Sequence, residues 1–160
     1  MTTDNRYCLD TSFFVNSWHK NYGINVFPTI WKELHKLIQS ESVFSVREVF
    51  EELKVQHDEL LKWVKTRKGM FREPTEQTTM NMRKLMKSYP QFAAQSGTKS
   101  GADPWVIAEA QAFDAIVVTD EKWSDKLSKT KPPKMPTVCE QMGVTYLSPL
   151  QFLSDIGIKL

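Results

Sequence analysis

A chain of 160 residues, 41% apolar and 25% charged, has the composition of one ordinary globular domain with a real core. No apolar run approaches the ~20 residues of a membrane span. Met1-Thr2-Thr3-Asp4-Asn5 also lacks the apolar stretch of a signal peptide, so the expectation is a cytoplasmic protein with no membrane contact. A net charge of +2 decides little alone, but the basic residues cluster. Lys62, Lys65, Arg67, Lys68 and Arg72 form one group, Arg83, Lys84 and Lys87 a second, and Lys126, Lys129, Lys131 and Lys134 a third. Each group suits phosphate, and each taken singly is also what a solvated face looks like. Cys8 and Cys139 sit in apolar company and read as buried free thiols.

Tyr7-Cys8-Leu9 is a short apolar run that reads as a buried first strand, ended by Asp10, with turn or cap chemistry in Thr11 and Ser12. Two readings of Asp10 stand side by side: a helix cap, or a carboxylate at the carboxyl end of a strand, where open parallel sheets bind ligands. A short helix from Ser12 to about Lys20 is broken by Asn21-Tyr22-Gly23. Pro28 then starts the clearest helix, with Phe27, Ile30, Trp31, Leu34, Leu37 and Ile38 at helical spacing. His35 on it reads as a structural residue. Val43-Phe44 is a candidate second strand, and Ser45-Val46-Arg47-Glu48 has the form of a capping box. Val46, Val49, Phe50 and Leu53 mark the buried face of the helix that follows. At ~100° per residue, Glu52 lies roughly 110° from the centre of that face and Glu48 and Glu51 about 150° away. Glu52 is thus the acid nearest the boundary between core and solvent.

Leu60, Leu61 and Val64 continue the helical region, and Gly69 ends it. Pro74-Thr75 opens a helix with Met80, Met82, Leu85, Met86 and Tyr89 on its apolar side, closed by Pro90. Gln95 to Gly101 reads as a loop without the spacing of a phosphate loop, which excludes a P-loop nucleoside triphosphatase. Asp103-Pro104 signals a helix start, with Asp103 as N-cap, running to about Phe113. Ala115-Ile116-Val117-Val118-Thr119 is the best strand in the chain, and Asp120 and Glu121 stand at its end. Lys131-Pro132-Pro133-Lys134 makes a loop. Pro136 to Met142 is a helix stopped by Gly143, Val144 to Leu147 a last strand, and Pro149 begins a terminal helix.

The alternation of strands and helices predicts a three-layer α/β fold with a central, mostly parallel sheet flanked by helices, as a single domain over 1–160. Carboxylates gathered at one sheet edge without Lys or Arg partners repel one another and call for a divalent cation. Oxygen-only ligands favour Mg²⁺ or Mn²⁺. His19, His35 and His57 are scattered and no paired Cys motif exists, so nothing supports a zinc site. No Ser or Cys lies in a nucleophile elbow with a plausible His.

Four segments together resemble PIN domains, and more closely the VapC-like toxin branch of that family. They are Tyr7-Cys8-Leu9-Asp10-Thr11-Ser12, Val49-Phe50-Glu51-Glu52-Leu53, Ala102-Asp103-Pro104-Trp105-Val106-Ile107-Ala108 and Val117-Val118-Thr119-Asp120-Glu121. The family commonly places its fourth acid two residues after the Thr or Ser, which is Glu121 here, with Asp120 just before it. The stretch from about 58 to 101 is long and helical and would form an enlarged insertion or clip over the cleft.

The resemblance implies an Mg²⁺- or Mn²⁺-dependent endoribonuclease, the toxin of a type II toxin-antitoxin pair, acting on RNA and held by a cognate antitoxin. A homodimer stays open. In that reading Asp10, Glu52, Asp103 and Asp120 or Glu121 form the catalytic and metal-binding pocket. Thr11, Ser12 or Thr119 would orient a carboxylate or water. The basic clusters would hold the RNA backbone, and Trp105 and Trp123 could stack on bases, although core packing suits Trp105 better. The alternative is a PIN-like module without catalysis that grips RNA or a protein.

Overall fold

A computed structural model describes residues 4–95, 101–126 and 133–159. Among these residues five short strands form one all-parallel sheet in the order β3-β2-β1-β4-β5. They are β1 (Tyr7–Leu9), β2 (Val43–Val46), β3 (Phe71–Arg72), β4 (Ile116–Val118) and β5 (Tyr146–Leu147). Among the described residues eight α-helices surround it: α1 (Thr11–Asn16), α2 (Pro28–Gln39), α3 (Arg47–Lys54), α4 (Glu59–Lys65), α5 (Glu76–Ser88), α6 (Asp103–Phe113), α7 (Met135–Met142) and α8 (Pro149–Asp155). The expected three-layer α/β architecture is what forms. Among the described residues no helix is long and apolar enough to cross a membrane.

Alternation along β1 sets the layers, because successive side chains of a strand point to opposite faces. Tyr7 meets Phe152 of α8 edge-on at 4.9 Å between ring centroids, and Phe13 of α1 meets the same ring at 5.5 Å. Cys8 faces the other way. It is in register with Phe44, whose ring packs against Phe113 of α6. Helix α5 lies on α6. Both strand faces are covered, so β1 and β4 are apolar throughout, as a buried parallel strand requires.

The chain begins in the middle of the sheet, builds outward to β3, then returns to build β4 and β5 on the other side. The order therefore reverses between β1 and β4. Carboxyl ends of strands at such a reversal leave a crevice, because the following helices depart to opposite faces.

Four local expectations are corrected. Ser45 does not cap α3. It lies inside β2, and its buried hydroxyl donates to the Leu9 carbonyl at 2.6 Å, while the cap position falls to Val46. Asp103 is not an N-cap either. It is the first residue of α6, after Ala102, with Pro104 beside it in the first turn. The stretch from 58 to 101 is not wholly helical, because Phe71–Arg72 pairs with Ser45–Val46 as an edge strand. The short helix after β1 is likewise compound, an α-helical turn and a half followed by a π-helical turn over Ser17–Asn21. Gly69 does not end α4 either, which stops at Lys65 with Thr66 as its cap, and Gly69 lies in a 3-10 turn over Lys68–Met70. Other punctuation acts as read. Gly143 ends α7 in the left-handed conformation, φ 71°, and Thr75 caps α5 through the Thr78 amide. The loops read at 95–101 and 131–134 fall partly outside the described residues.

Candidate metal centre

Asp10 is the residue after β1. Its amide continues the sheet by donating to the Val118 carbonyl at 3.0 Å, and its own carbonyl accepts from Phe13 N–H as α1 begins. It occupies the cap position of α1, yet its carboxylate caps nothing. Instead Oδ2 accepts from the Ser12 hydroxyl at 2.7 Å and from the Thr119 hydroxyl at 2.7 Å. Both hydroxyls are in turn acceptors: Ser12 Oγ takes the Asp120 amide at 2.9 Å and Thr119 Oγ1 the Glu121 amide at 3.1 Å. Those amides leave each hydroxyl proton free to point at Asp10. The plane of a buried carboxylate is thereby fixed across the β1–β4 crevice.

Asp103 reaches the same point from the first turn of α6, where the helix dipole favours a negative group. Glu121 arrives from the turn after β4, with its Oε1 accepting from the Met135 amide at the start of α7 at 3.1 Å. One carboxylate oxygen from each of Asp10, Asp103 and Glu121 lies within 4.8 Å of the others. Asp10 is 1% exposed and Asp103 5%, so solvent does little to separate their charges. None of the three forms an ion pair with a described Lys or Arg.

The remaining acids fall outside that triad. Glu52, near the end of α3, has both oxygens committed: Oε1 accepts from the Thr11 hydroxyl at 2.6 Å and Oε2 from the Ala102 amide at 3.0 Å. It ties the start of α1 to the start of α6, and so fixes both segments that carry the aspartates. Asp120 turns away. Its Oδ2 accepts from Asn16 Nδ2 at 2.6 Å and its Oδ1 lies 4.0 Å from Lys122 Nζ. Of the two acids after Thr119, Glu121 is the one brought to the cluster. The supporting roles of Asn16, Ala102 and Met135 were not read from the sequence. Two of them act through backbone amides, which no side-chain pattern announces.

Burial and mutual repulsion shape the titration. Burial first, then the Glu121 charge, raise Asp10 from 3.8 to about 6, against the pull of the Ser12, Thr119 and Thr11 donors. Burial raises Glu52 from 4.5 to about 7, opposed by Thr11 and Ala102. Asp103 is pushed well above the ordinary carboxylate range by burial, by the charges of Asp10 and Glu121 and by a hydrogen bond with Glu121. Two carboxyl groups share a hydrogen bond only when one holds a proton.

The residues fit a divalent ion. Oxygens sharing a six-coordinate ion at about 2.1 Å stand roughly 3–4.2 Å apart, so the observed cluster needs little contraction. An all-carboxylate set suits a hard cation of the Mg²⁺ or Mn²⁺ kind. The basic clusters are less uniform than the sequence implies. Arg67 stacks on Trp63 at 3.9 Å and donates to His35 Nδ1, and Arg72 lies 3.7 Å over the Phe44 ring. Both spend their guanidinium groups on packing, whereas Lys62, Lys65, Lys68, Arg83, Lys84 and Lys87 are exposed. Trp105 packs partly buried against the core, and Trp123 is 53% exposed.

No curated protein matches the sequence. Residues 7–160 match the family described as Domain of unknown function (DUF4411), and the chain is therefore a member of that family.

Proposed function

We propose that this protein is an Mg²⁺- or Mn²⁺-dependent endoribonuclease of the PIN type, the toxin of a type II toxin-antitoxin pair. The observation that carries the reading is the convergence of Asp10, Asp103 and Glu121 at the sheet reversal, the two aspartates buried and Glu121 half-buried, with no ion-pair partner among the described residues. A structural role alone gives no reason to gather three acids where the Glu121 charge raises the proton affinity of both aspartates. When bound, a divalent ion supplies Lewis acidity toward a phosphodiester and makes water a nucleophile near neutral pH.

The chain's own residues supply the rest. Asp10, Asp103 and Glu121 would hold the ion. Ser12 and Thr119 lock the Asp10 carboxylate, which lowers the reorganisation needed on binding. Glu52 acts by position, because its oxygens already hold Thr11 and Ala102. The exposed lysines and arginines of α4, α5 and the turn after α4 would take the RNA phosphates.

The test is incubation of purified protein with single-stranded RNA, with Mg²⁺, with Mn²⁺ and with chelator. Cleavage that needs metal and falls at least about 100-fold in Asp103→Asn is the expected result. RNA left intact with both metals, beside an active control, contradicts it. RNA bound but never cut would favour the non-catalytic alternative. For the toxin role, induced expression is expected to arrest bacterial growth and Asp103→Asn to relieve the arrest.

A further inference from the structure

Beside the acidic centre lies a cavity of about 280 Å³ lined by Trp123, Asp125, Thr137, Glu140 and Gln141. Its construction is unusual for a surface depression. Thr137, buried in α7, donates its hydroxyl to the Ser124 carbonyl at 2.6 Å and accepts the Ser124 amide at 3.3 Å. The residue between Trp123 and Asp125 is thus clamped at both backbone groups. A buried hydroxyl fixes the backbone beside an indole that is 53% exposed.

The cavity is also placed next to the chemistry. Trp123 is two residues past Glu121, and α7 begins with the amide that Glu121 accepts. Glu140 lies five residues along the same helix, about 7.5 Å away at 1.5 Å per residue. The walls offer an aromatic face, two exposed carboxylates and an amide, so they repel a phosphate and accept N–H groups.

Resting on the ribonuclease reading, we propose that this cavity is a base-recognition subsite for an unpaired guanine of single-stranded RNA. The indole of Trp123 stacks on the purine. A carboxylate of Asp125 or Glu140 accepts from guanine N1–H and the N2 amino group, two adjacent donors that match two oxygens. Adenine and cytosine present one amino group beside an acceptor, and uracil one N–H between two acceptors, so each would set a lone pair against the carboxylate. A guanidinium of a protein partner would also meet an indole and carboxylates, but it would leave much of a purine-sized cavity unfilled.

The experiment measures binding of fluorescein-labelled pentamers of U, each with one central G, A, C or U, to the full chain at low salt with chelator. The G pentamer is expected to bind at least tenfold more tightly than the other three. Trp123→Ala should lose about tenfold for that pentamer, and Trp123→Phe should retain most of its affinity. Asp125→Asn combined with Glu140→Gln should level the four bases, with circular dichroism confirming each fold. Equal binding of all four by the unsubstituted chain overturns the proposal. So does a guanine preference that survives both Trp123→Ala and the double substitution, or tight capture of an arginine-containing peptide without any guanine preference. Because no metal is present, guanine selection without later cleavage contradicts only the nuclease reading. Metal-dependent cleavage without guanine selection contradicts only the subsite.

Discussion

Asp10 holds an unfavourable charge for the sake of its position. Lifting its carboxyl from 3.8 to about 6 corresponds to about 3 kcal/mol of lost stability at pH 8 in the metal-free protein. Asparagine keeps an oxygen for the Ser12 and Thr119 hydroxyls and removes the charge. Asp10→Asn is therefore expected to stabilise the metal-free fold by about 2–3 kcal/mol, read as a rise in denaturant midpoint, while RNA cleavage is lost. A destabilised Asp10→Asn protein would show that burial of the ionised group is compensated. The pH dependence has a definite sign. Asp10 and Glu52 have folded pKa values above their unfolded ones, so their contribution is fully present below about pH 4. It is lost as pH rises through about 6 and about 7. Melts in chelator should fall from about pH 4 to about pH 7 and then level off, and Mn²⁺ at pH 8 should restore the difference. At this scale the sequence shows Asp10 and Asp103, because each borders a well-marked element. It does not choose between Asp120 and Glu121. The direction of a side chain beyond a strand end depends on the turn, and here Ser12 and Thr119 set that turn from opposite sides of the crevice.

Elements are joined by buried polar stitches as well as by apolar faces. On α5, Thr78 donates to the buried Glu109 carboxylate of α6 at 2.8 Å, and Asn81 donates to the Ala108 carbonyl at 3.1 Å. Burial raises the Glu109 carboxyl, and Arg72 stands 3.9 Å from its other oxygen. Thr78→Val keeps the shape and strips a donor from a buried acid, so a loss of about 1–3 kcal/mol in chemical denaturation is expected. A neutral result would mean that Glu109 is satisfied without Thr78. Helix boundaries were readable because Pro28, Thr75, Gly143 and Pro149 act locally. Strand β3 was not, because two residues carry no periodicity and Phe71 gains its meaning only by pairing with Ser45. Ser45 misled for the same reason. A serine three residues before a glutamate looks like a capping box until the strand turns its hydroxyl toward Leu9.

The whole molecule places these parts by one topological fact, the reversal of strand order between β1 and β4. Alternating strands and helices made the α/β class legible, and the apolar run at 116–118 marked a central strand. Strand ends and helix starts placed the acids at one sheet edge and the resemblance read them as a pocket, but the particular set Asp10, Asp103 and Glu121 meets only after the chain has crossed the sheet and returned. The central claim is that these three acids share a divalent ion and that Asp120 does not. Titration with Mn²⁺ followed by electron paramagnetic resonance measures this directly at pH 7.5, with no RNA present. Binding by the unsubstituted chain is predicted to weaken more than tenfold in Asp103→Asn and in Glu121→Gln, and to stay within about twofold in Asp120→Asn. Binding that survives in Asp103→Asn, or that is lost only in Asp120→Asn, would contradict the account.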